Sequence, residues 1–292
     1  MEAAIQRCEC HGHIFMDGLD YRKARQLHRN GPDTAAIRAH LAAYEALGIT
    51  YYRDGGDALG VSLRARELAG EYGIRFVTPA FAIHRAGRYG GIVGRSYATL
   101  GEYRALVAQA RWLGADFIKL MFSGILGFSQ YGEISCPSLP AEEIRELVHI
   151  AHGEGFAVMA HVNGAAAIRA ALEAGTDSIE HGYYMDASCI ALLAETGAVW
   201  VPTMAAIAPF AHRAGACPQV VERLLAEQMA ALRQAAATGA RIASGSDAGA
   251  FGVPHGRGWI TEWNLLECAL GPSGREAAAQ GNQTIQERFQ RT

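Results

Sequence analysis

No apolar run in the 292 residues approaches the roughly 20 needed to cross a bilayer, so no membrane partner is expected. The opening stretch, Met1-Glu2-Ala3-Ala4-Ile5-Gln6-Arg7, has no long apolar core of the kind a secretory signal carries. Neither sign of charge dominates. The 26 Lys and Arg are set against 29 Asp and Glu, a net −3, which gives no field for a polyanion and argues against nucleic acid as a partner. The six cysteines (Cys8, Cys10, Cys136, Cys189, Cys217 and Cys268) lack a disulfide-framework spacing. In a chain of this length they are expected to be reduced, mostly buried thiols of a cytoplasmic protein. Linkers, low-complexity segments and short repeats are also missing, so residues 1–292 are expected to form one unit. With 50% hydrophobic and 19% charged residues the chain can bury a full core.

What is present is an alternation of short β-branched or aromatic runs with amphipathic stretches that close at glycine. The expected strands are Ile5 to Ile14, Ile49 to Arg53, Ile74 to Ala80, Phe117 to Met121, Phe156 to His161, Ser178 to His181, Ala198 to Thr203 and Arg241 to Ser244. Between them, Pro32-Asp33-Thr34 opens a helix carrying Ile37, Leu41, Tyr44 and Leu47 to Gly48. Further helices are expected over Leu63 to Gly73, Leu100 to Leu113, from Pro140, from a cap at Asn163 to Gly175, from a cap at Asp186 to Gly197, and over about Val220 to Thr238. Eight βα units predict a closed parallel (β/α)8 TIM barrel of the α/β class. The rival, an open doubly wound sheet, would place a glycine-rich phosphate loop after the first strand, and Cys10-His11-Gly12-His13 is not one. The polar stretch from Pro272 to Thr292 is left as a covering helix or a tail.

The rare residues fall at the strand ends. His11 and His13 end strand one, two apart, so alternation points both into the barrel with Glu9 behind them. Lys119 ends strand four, His161 strand five and His181 strand six, while Asp247 follows strand eight. Each has an ordinary explanation alone. A single histidine at a strand end is commonly a hydrogen-bonded structural group, and Asp247 could cap a helix. Lys119 within Phe117-Ile118-Lys119-Leu120-Met121 is harder to explain that way, because burying an unpaired ammonium costs several kcal/mol. All six share the C-terminal mouth where barrel enzymes hold their chemistry, which points to a metal centre.

The pattern resembles the amidohydrolase superfamily from Glu9 to about Glu267. Glu9-Cys10-His11-Gly12-His13 is similar to its Asp-x-His-x-His motif, with Glu in first place. Asp116-Phe117-Ile118-Lys119 with its Ser-Gly loop resembles the binuclear subgroup with a carboxylated lysine. Gly175-Thr176-Asp177-Ser178-Ile179-Glu180-His181-Gly182 and Ser244-Gly245-Ser246-Asp247-Ala248-Gly249 fit imidazolonepropionase-like and Xaa-Pro dipeptidase-like members. Such members usually carry a small β-sandwich, which is expected to be absent or vestigial here. The resemblance implies that His11, His13 and Asp247 bind one divalent ion, His161 and His181 a second, with Lys119 as a CO2-derived carbamate between them. Zinc suits these donors, and a metal-bridging hydroxide would attack a carbonyl while Asp247 moves the proton. A zinc knot of Cys8, Cys10, His11 and His13 is disfavoured because alternation turns the cysteines away, toward packing against the outer helices.

The expected substrate is a small molecule with an amide-type C–N bond, a dipeptide or N-acyl amino acid. By resemblance, His84 and Tyr183 are the nearest matches to residues that grip substrate. Tyr131, Arg53 and His255 are further candidates, and Arg53 could instead pair with Asp54 or Glu9. A lactone or organophosphate ester hydrolase would use the same centre. A deaminase is disfavoured by Lys119, and an inactive binding barrel by the complete ligand set. Homo-oligomerisation is left open.

Overall fold

Helix capping and strand burial follow the local chemistry closely along the computed structural model, which describes residues 7–271 and 274–290. Strand β1 (Arg7–Gly12) leads to a short helix α1 (Tyr21–Leu27), capped by Asp20. Helix α2 (Thr34–Glu45) starts where Asp33 accepts the Ala36 N–H, and it buries Ile37, Leu41 and Tyr44. There follow β2 (Ile49–Asp54), α3 (Val61–Ala69), β3 (Arg75–Val77), β4 (Ala82–Arg85), β5 (Gly94–Tyr97), α4 (Leu100–Trp112), β6 (Ile118–Met121) and α5 (Ala141–Gly153). The rest comprises β7 (Val158–Val162), α6 (Ala165–Glu173), β8 (Ser178–His181), α7 (Ala187–Thr196), β9 (Val199–Val201), α8 (Pro218–Ala237), β10 (Arg241–Ile242), α9 (Arg257–Leu270) and α10 (Gly274–Arg288). None of the described helices is long and apolar enough to cross a membrane.

The strands pair in parallel in two runs, β1-β2-β3 and β10-β9-β8-β7-β6-β4-β5. Backbone hydrogen bonds cross both seams. Cys10 N–H donates to Ser244 O (2.9 Å), Asp247 N–H to His11 O (2.7 Å) and His13 N–H to Ala248 O (2.7 Å). On the other side Asp116 N–H donates to Thr78 O (2.9 Å). The eight expected strands thus form a (β/α)8 TIM barrel, with β4 paired along β6 and β5 along the far side of β4.

Three features depart from the sequence expectation. Helices α1 and α9 were not anticipated. The segment holding His84, expected as loop, is strand β4, in register with β6 (Ala82 opposite Lys119, His84 opposite Met121). Asn163 does not cap α6. Gly164 occupies that position, and the Asn163 amide instead donates to Gly124 O and accepts from Tyr183 N–H. The expected start of strand one at Ile5 lies outside the described residues.

The first strand also breaks the alternation assumed for it. Cys8 pairs with Tyr51 and Glu9 with Tyr52, and the register shifts between Glu9 and Gly12. Tyr52 packs outward on Tyr44 of α2, so Glu9 shares the outer face, where it accepts from Ser246 N–H (2.8 Å) and Oγ (2.6 Å). Cys8 and Cys10 face inward instead of toward the outer helices. They join Tyr51, Phe117, Met159 and Val201 in a buried cluster closed from below by Ile285 and Phe289. The shift is what brings His11 back into the barrel.

The C-terminal stretch is therefore a structural plug, and α10 seals the floor of the barrel. Gly281 permits the approach, since a Cβ there would fall on the backbone of Ile242. Asn282 pins the helix, its Oδ1 accepting from Ser244 N–H (2.9 Å) and from the Cys10 thiol (3.4 Å). Removing that acceptor orphans a buried backbone donor, a cost of about 1–3 kcal/mol. Asn282→Ala should lower the unfolding free energy in urea by that amount; an unchanged denaturation midpoint would show that α10 is not pinned there.

Candidate metal centre

His11, His181 and Asp247 each present a donor atom within 4.8 Å of the others at the C-terminal mouth. His11 Nε2 also lies 3.0 Å from Lys119 Nζ and 3.5 Å from Asp247 Oδ1, and His13 Nε2 lies 3.3 Å from the same oxygen. The ring of His161 is 4.5 Å from that of His181, and the rings of His181 and His11 are 5.0 Å apart. All six residues read from the strand ends therefore meet in one place.

Three of the rings are held from behind. His11 Nδ1 is 2.7 Å from Glu180 Oε2, His181 Nδ1 is 2.7 Å from Thr203 Oγ1, and His161 Nε2 is 3.1 Å from the Gly124 carbonyl. A carbonyl only accepts, so His161 carries its proton on Nε2 and keeps a lone pair on Nδ1. Among the described residues the buried His13 Nδ1 has no hydrogen-bond partner. Burial holds His11 and His181 well below the usual imidazole range, lowers His13, and brings His161 to about 4. Four neutral imidazoles gathered with one carboxylate and one amine suit divalent ions, which bind that form. Burial also brings Lys119 down to about 8, opposed by Glu180 and Asp247.

Backbone strain concentrates here. His181 (φ 67°), Asp247 (φ 59°) and Thr203 (φ 49°) all occupy the left-handed region. The His181 carbonyl is held by two donors, Trp200 Nε1 (2.9 Å) and Gln228 Nε2 (2.7 Å). Such conformations persist only when the surroundings over-determine them, and they gather at functional sites.

The substrate candidates separate. His84 is buried with Nδ1 3.0 Å from Arg85 O, and Tyr89, on the turn after β4, sits with its ring 5.1 Å from that of His161. Tyr183 flanks His181, but its hydroxyl donates to Thr203 O (2.9 Å). Three assignments need correction. Arg53 is fully buried and bound to Glu180, Ser178 and Cys10 O, so it faces the barrel interior. His255 is buried with both nitrogens committed, to Tyr44 Oη (3.0 Å) and Met16 O (2.8 Å). Tyr131 is exposed, donates to Glu227 and lines a separate cavity of about 360 Å³ with Tyr184, Leu224 and Gln228. The supporting residues Glu180 and Thr203 were missed. For Glu180 the signal was a carboxylate within a wholly buried four-residue strand.

A family model for the amidohydrolase family matches residues 9–281, and the chain belongs to that family. An uncharacterised Mycobacterium tuberculosis protein is 31% identical over 159 residues, 52% of this chain and 42% of that protein. Aspergillus niger ochratoxinase is 36% identical over 107 residues, 37% of this chain and 22% of the enzyme. The matched stretches thus span less than half of these relatives. Solved structures of similar fold include a Xaa-Pro dipeptidase with methionine in its active site (TM-score 0.76, 23% identity, 96% of this chain and 75% of that one). The A. niger ochratoxinase structure is similar too (TM-score 0.75, 22% identity, 98% and 71%). So is a prolidase complexed with N-methylphosphonate-L-proline (TM-score 0.71, 23% identity, 96% and 74%).

One glycine makes the site testable as packing. A Cβ on Gly55 would fall on the His13 imidazole, so Gly55→Ala has to displace the ring or the turn. Overpacking of this kind costs about 1–3 kcal/mol. The variant should unfold at correspondingly lower urea, and wild-type stability would mean that His13 does not sit against that turn.

Proposed function

We propose that this chain is a metal-dependent hydrolase that cleaves the amide-type C–N bond of a small molecule, a dipeptide or N-acyl amino acid. The observation that carries the reading is Lys119, buried and 3.0 Å from His11 Nε2, among four imidazoles that burial keeps neutral. An ammonium has no role between divalent ions, whereas a carbamate offers two anionic oxygens. With the lysine brought down to about 8, about a tenth of it is free amine at pH 7, the form that reacts with CO2. The names of the similar structures, a Xaa-Pro dipeptidase, a prolidase and an ochratoxinase, support an amide substrate.

His11, His13 and Asp247 would hold one ion and His161 and His181 the other, with Lys119 between them; nitrogen and oxygen donors of this kind suit zinc. Ions so bound lower the pKa of water from 15.7 toward about 7 and polarise a carbonyl. Asp247 would take the proton on its carboxylate and return it to the leaving nitrogen. Glu180 and Thr203 hold His11 and His181 against rotation through their Nδ1 atoms. Tyr89, its ring 5.1 Å from that of His161, would shield that side of the centre from bulk water, and His84 would contact the substrate.

Asp247→Asn should lower kcat by about 10² to 10⁴, the usual worth of general acid–base catalysis; near-normal turnover would remove it from the reaction. Lys119→Ala should lose most of its bound metal by elemental analysis and most of its activity. A short carboxylic acid at high concentration should restore part of both by occupying the vacated position, and an unmodified lysine beside two bound ions would rule out the carbamate. A panel of dipeptides, N-acyl amino acids, lactones and phosphotriesters tests the substrate class: turnover confined to the lactones or phosphotriesters would replace the amide reading.

A further inference from the structure

We infer that Arg53 and Glu180 form a buried positioning pair that dictates which ring nitrogen of His11 faces the barrel mouth. The inference rests on the functional reading above in taking His11 as a ligand. The observations themselves are independent of that reading. Arg53 is fully buried at the end of β2, on the far side of Glu180 from His11. Its Nη2 donates to both carboxylate oxygens of Glu180 (2.8 and 3.0 Å), its Nη1 to Ser178 Oγ (2.9 Å) and its Nε to the Cys10 carbonyl (2.7 Å). Ser178 Oγ in turn donates to Glu180 Oε1. Below, the guanidinium stacks 4.3 Å from the ring of Phe289 and 6.0 Å from that of Phe117.

The consequence concerns hydrogen-bond roles. Glu180 receives donors from Arg53 and Ser178, and its Oε2 is 2.7 Å from His11 Nδ1. A carboxylate held by arginine presents His11 with an acceptor, so the proton of the neutral ring sits on Nδ1. The lone pair is then on Nε2, the atom 3.0 Å from Lys119 Nζ and 3.5 Å from Asp247 Oδ1. A ligand histidine needs its second nitrogen committed in this way, and such partners typically contribute 10–100-fold to metal affinity. Arginine suits the task because its planar fork fixes the plane of the carboxylate as well as its charge; a lysine ammonium would fix only the charge. Each ion offsets much of the cost of burying the other.

Glu180→Gln retains the size of the side chain, yet its amide can offer Nδ1 either a donor or an acceptor. Two readouts follow, together with urea denaturation to register any loss of fold. In metal-free wild-type protein, ¹⁵N NMR of the histidine rings should show His11 as the Nδ1–H tautomer, and Glu180→Gln should shift it toward Nε2–H. In competition with a chelator, zinc affinity should fall 10–100-fold in Glu180→Gln and by a smaller factor in Arg53→Lys. Should Arg53→Lys not fold, the wild-type tautomer and Glu180→Gln still decide the matter. An Nε2–H tautomer in the wild type overturns the inference, as does wild-type zinc affinity in Glu180→Gln. A wild type with the Nδ1–H tautomer and no affinity for zinc supports the pair and overturns the functional reading instead.

Discussion

Lys119 imposes a constraint that the whole mouth of the barrel obeys. A primary amine with 1% exposure, the second residue of β6, is opposite Met159 in register and touches His11. Left as an isolated ammonium it would cost several kcal/mol. Glu180 and Asp247 are the two carboxylates whose charge favours its cation most. Glu180 is saturated by Arg53, Ser178 and His11, so it acts mainly as part of the scaffold. Asp247 is the anion left facing the histidines, 3.3 Å from His13 Nε2. Four neutral rings, one lysine and one available carboxylate form an arrangement short of negative charge, and that shortage is what added ligands or a modified lysine would make good.

The strain at the strand ends belongs to the same account. His181, Thr203 and Asp247 each occupy left-handed backbone, at about 1–3 kcal/mol apiece. Thr203 is the hardest case, because a β-branched residue is rarely found there. Each is held by specific partners: the His181 carbonyl by Trp200 and Gln228, the Thr203 carbonyl by Tyr183, and the Asp247 N–H by the His11 carbonyl. Tyr183 thus serves the centre as a brace. The stabilising contribution comes from the opposite end, where the barrel floor packs Val77, Met159, Val199 and Ala243 under α10. Barrel enzymes commonly divide stability and activity between the two ends in this way.

Much of this was legible in the sequence, for identifiable reasons. The short strands carrying Lys119, His161 and His181 were visible because buried apolar runs leave little freedom in where they lie, although Lys119 stands second in β6 rather than at its end. The caps at Asp33 and Asp186 were legible because side-chain chemistry there is local. The inward turn of His11 was reached by a faulty route. Simple alternation would have sent Glu9 in and the cysteines out, and only the register shift between Glu9 and Gly12 reconciles the positions. No local pattern encodes such a shift, since it arises from bonds to Ser244, Asp247 and Ala248 more than 230 residues away. Arg53 illustrates the same limit. An arginine at a strand end in a barrel resembles a substrate clamp until its partners on β8 and just after α10 are known. Strands β4 and β5 escaped because Gly90, Gly91 and Gly94 suggest a loop, and it is the pairing of β4 with β6 and of β5 with β4 that makes them strands.

The last helix shows how far the support of the site extends. From the floor upward the barrel interior runs from aromatic rings to a cation, then to a carboxylate, an imidazole and the open mouth. Phe289 and Phe117 flank the Arg53 guanidinium, Arg53 holds Glu180, and Glu180 holds His11. A guanidinium is weakly hydrated and stacks on aromatic faces, so it can end a dry apolar layer where an ammonium could not. That ordering requires a ring beneath Arg53, and the chain supplies it from residue 289, beyond every βα unit. The floor of the barrel is therefore not interchangeable apolar filling. Its aromatic character permits a buried ion pair one layer above, and that ion pair fixes the first histidine of the centre one layer higher still.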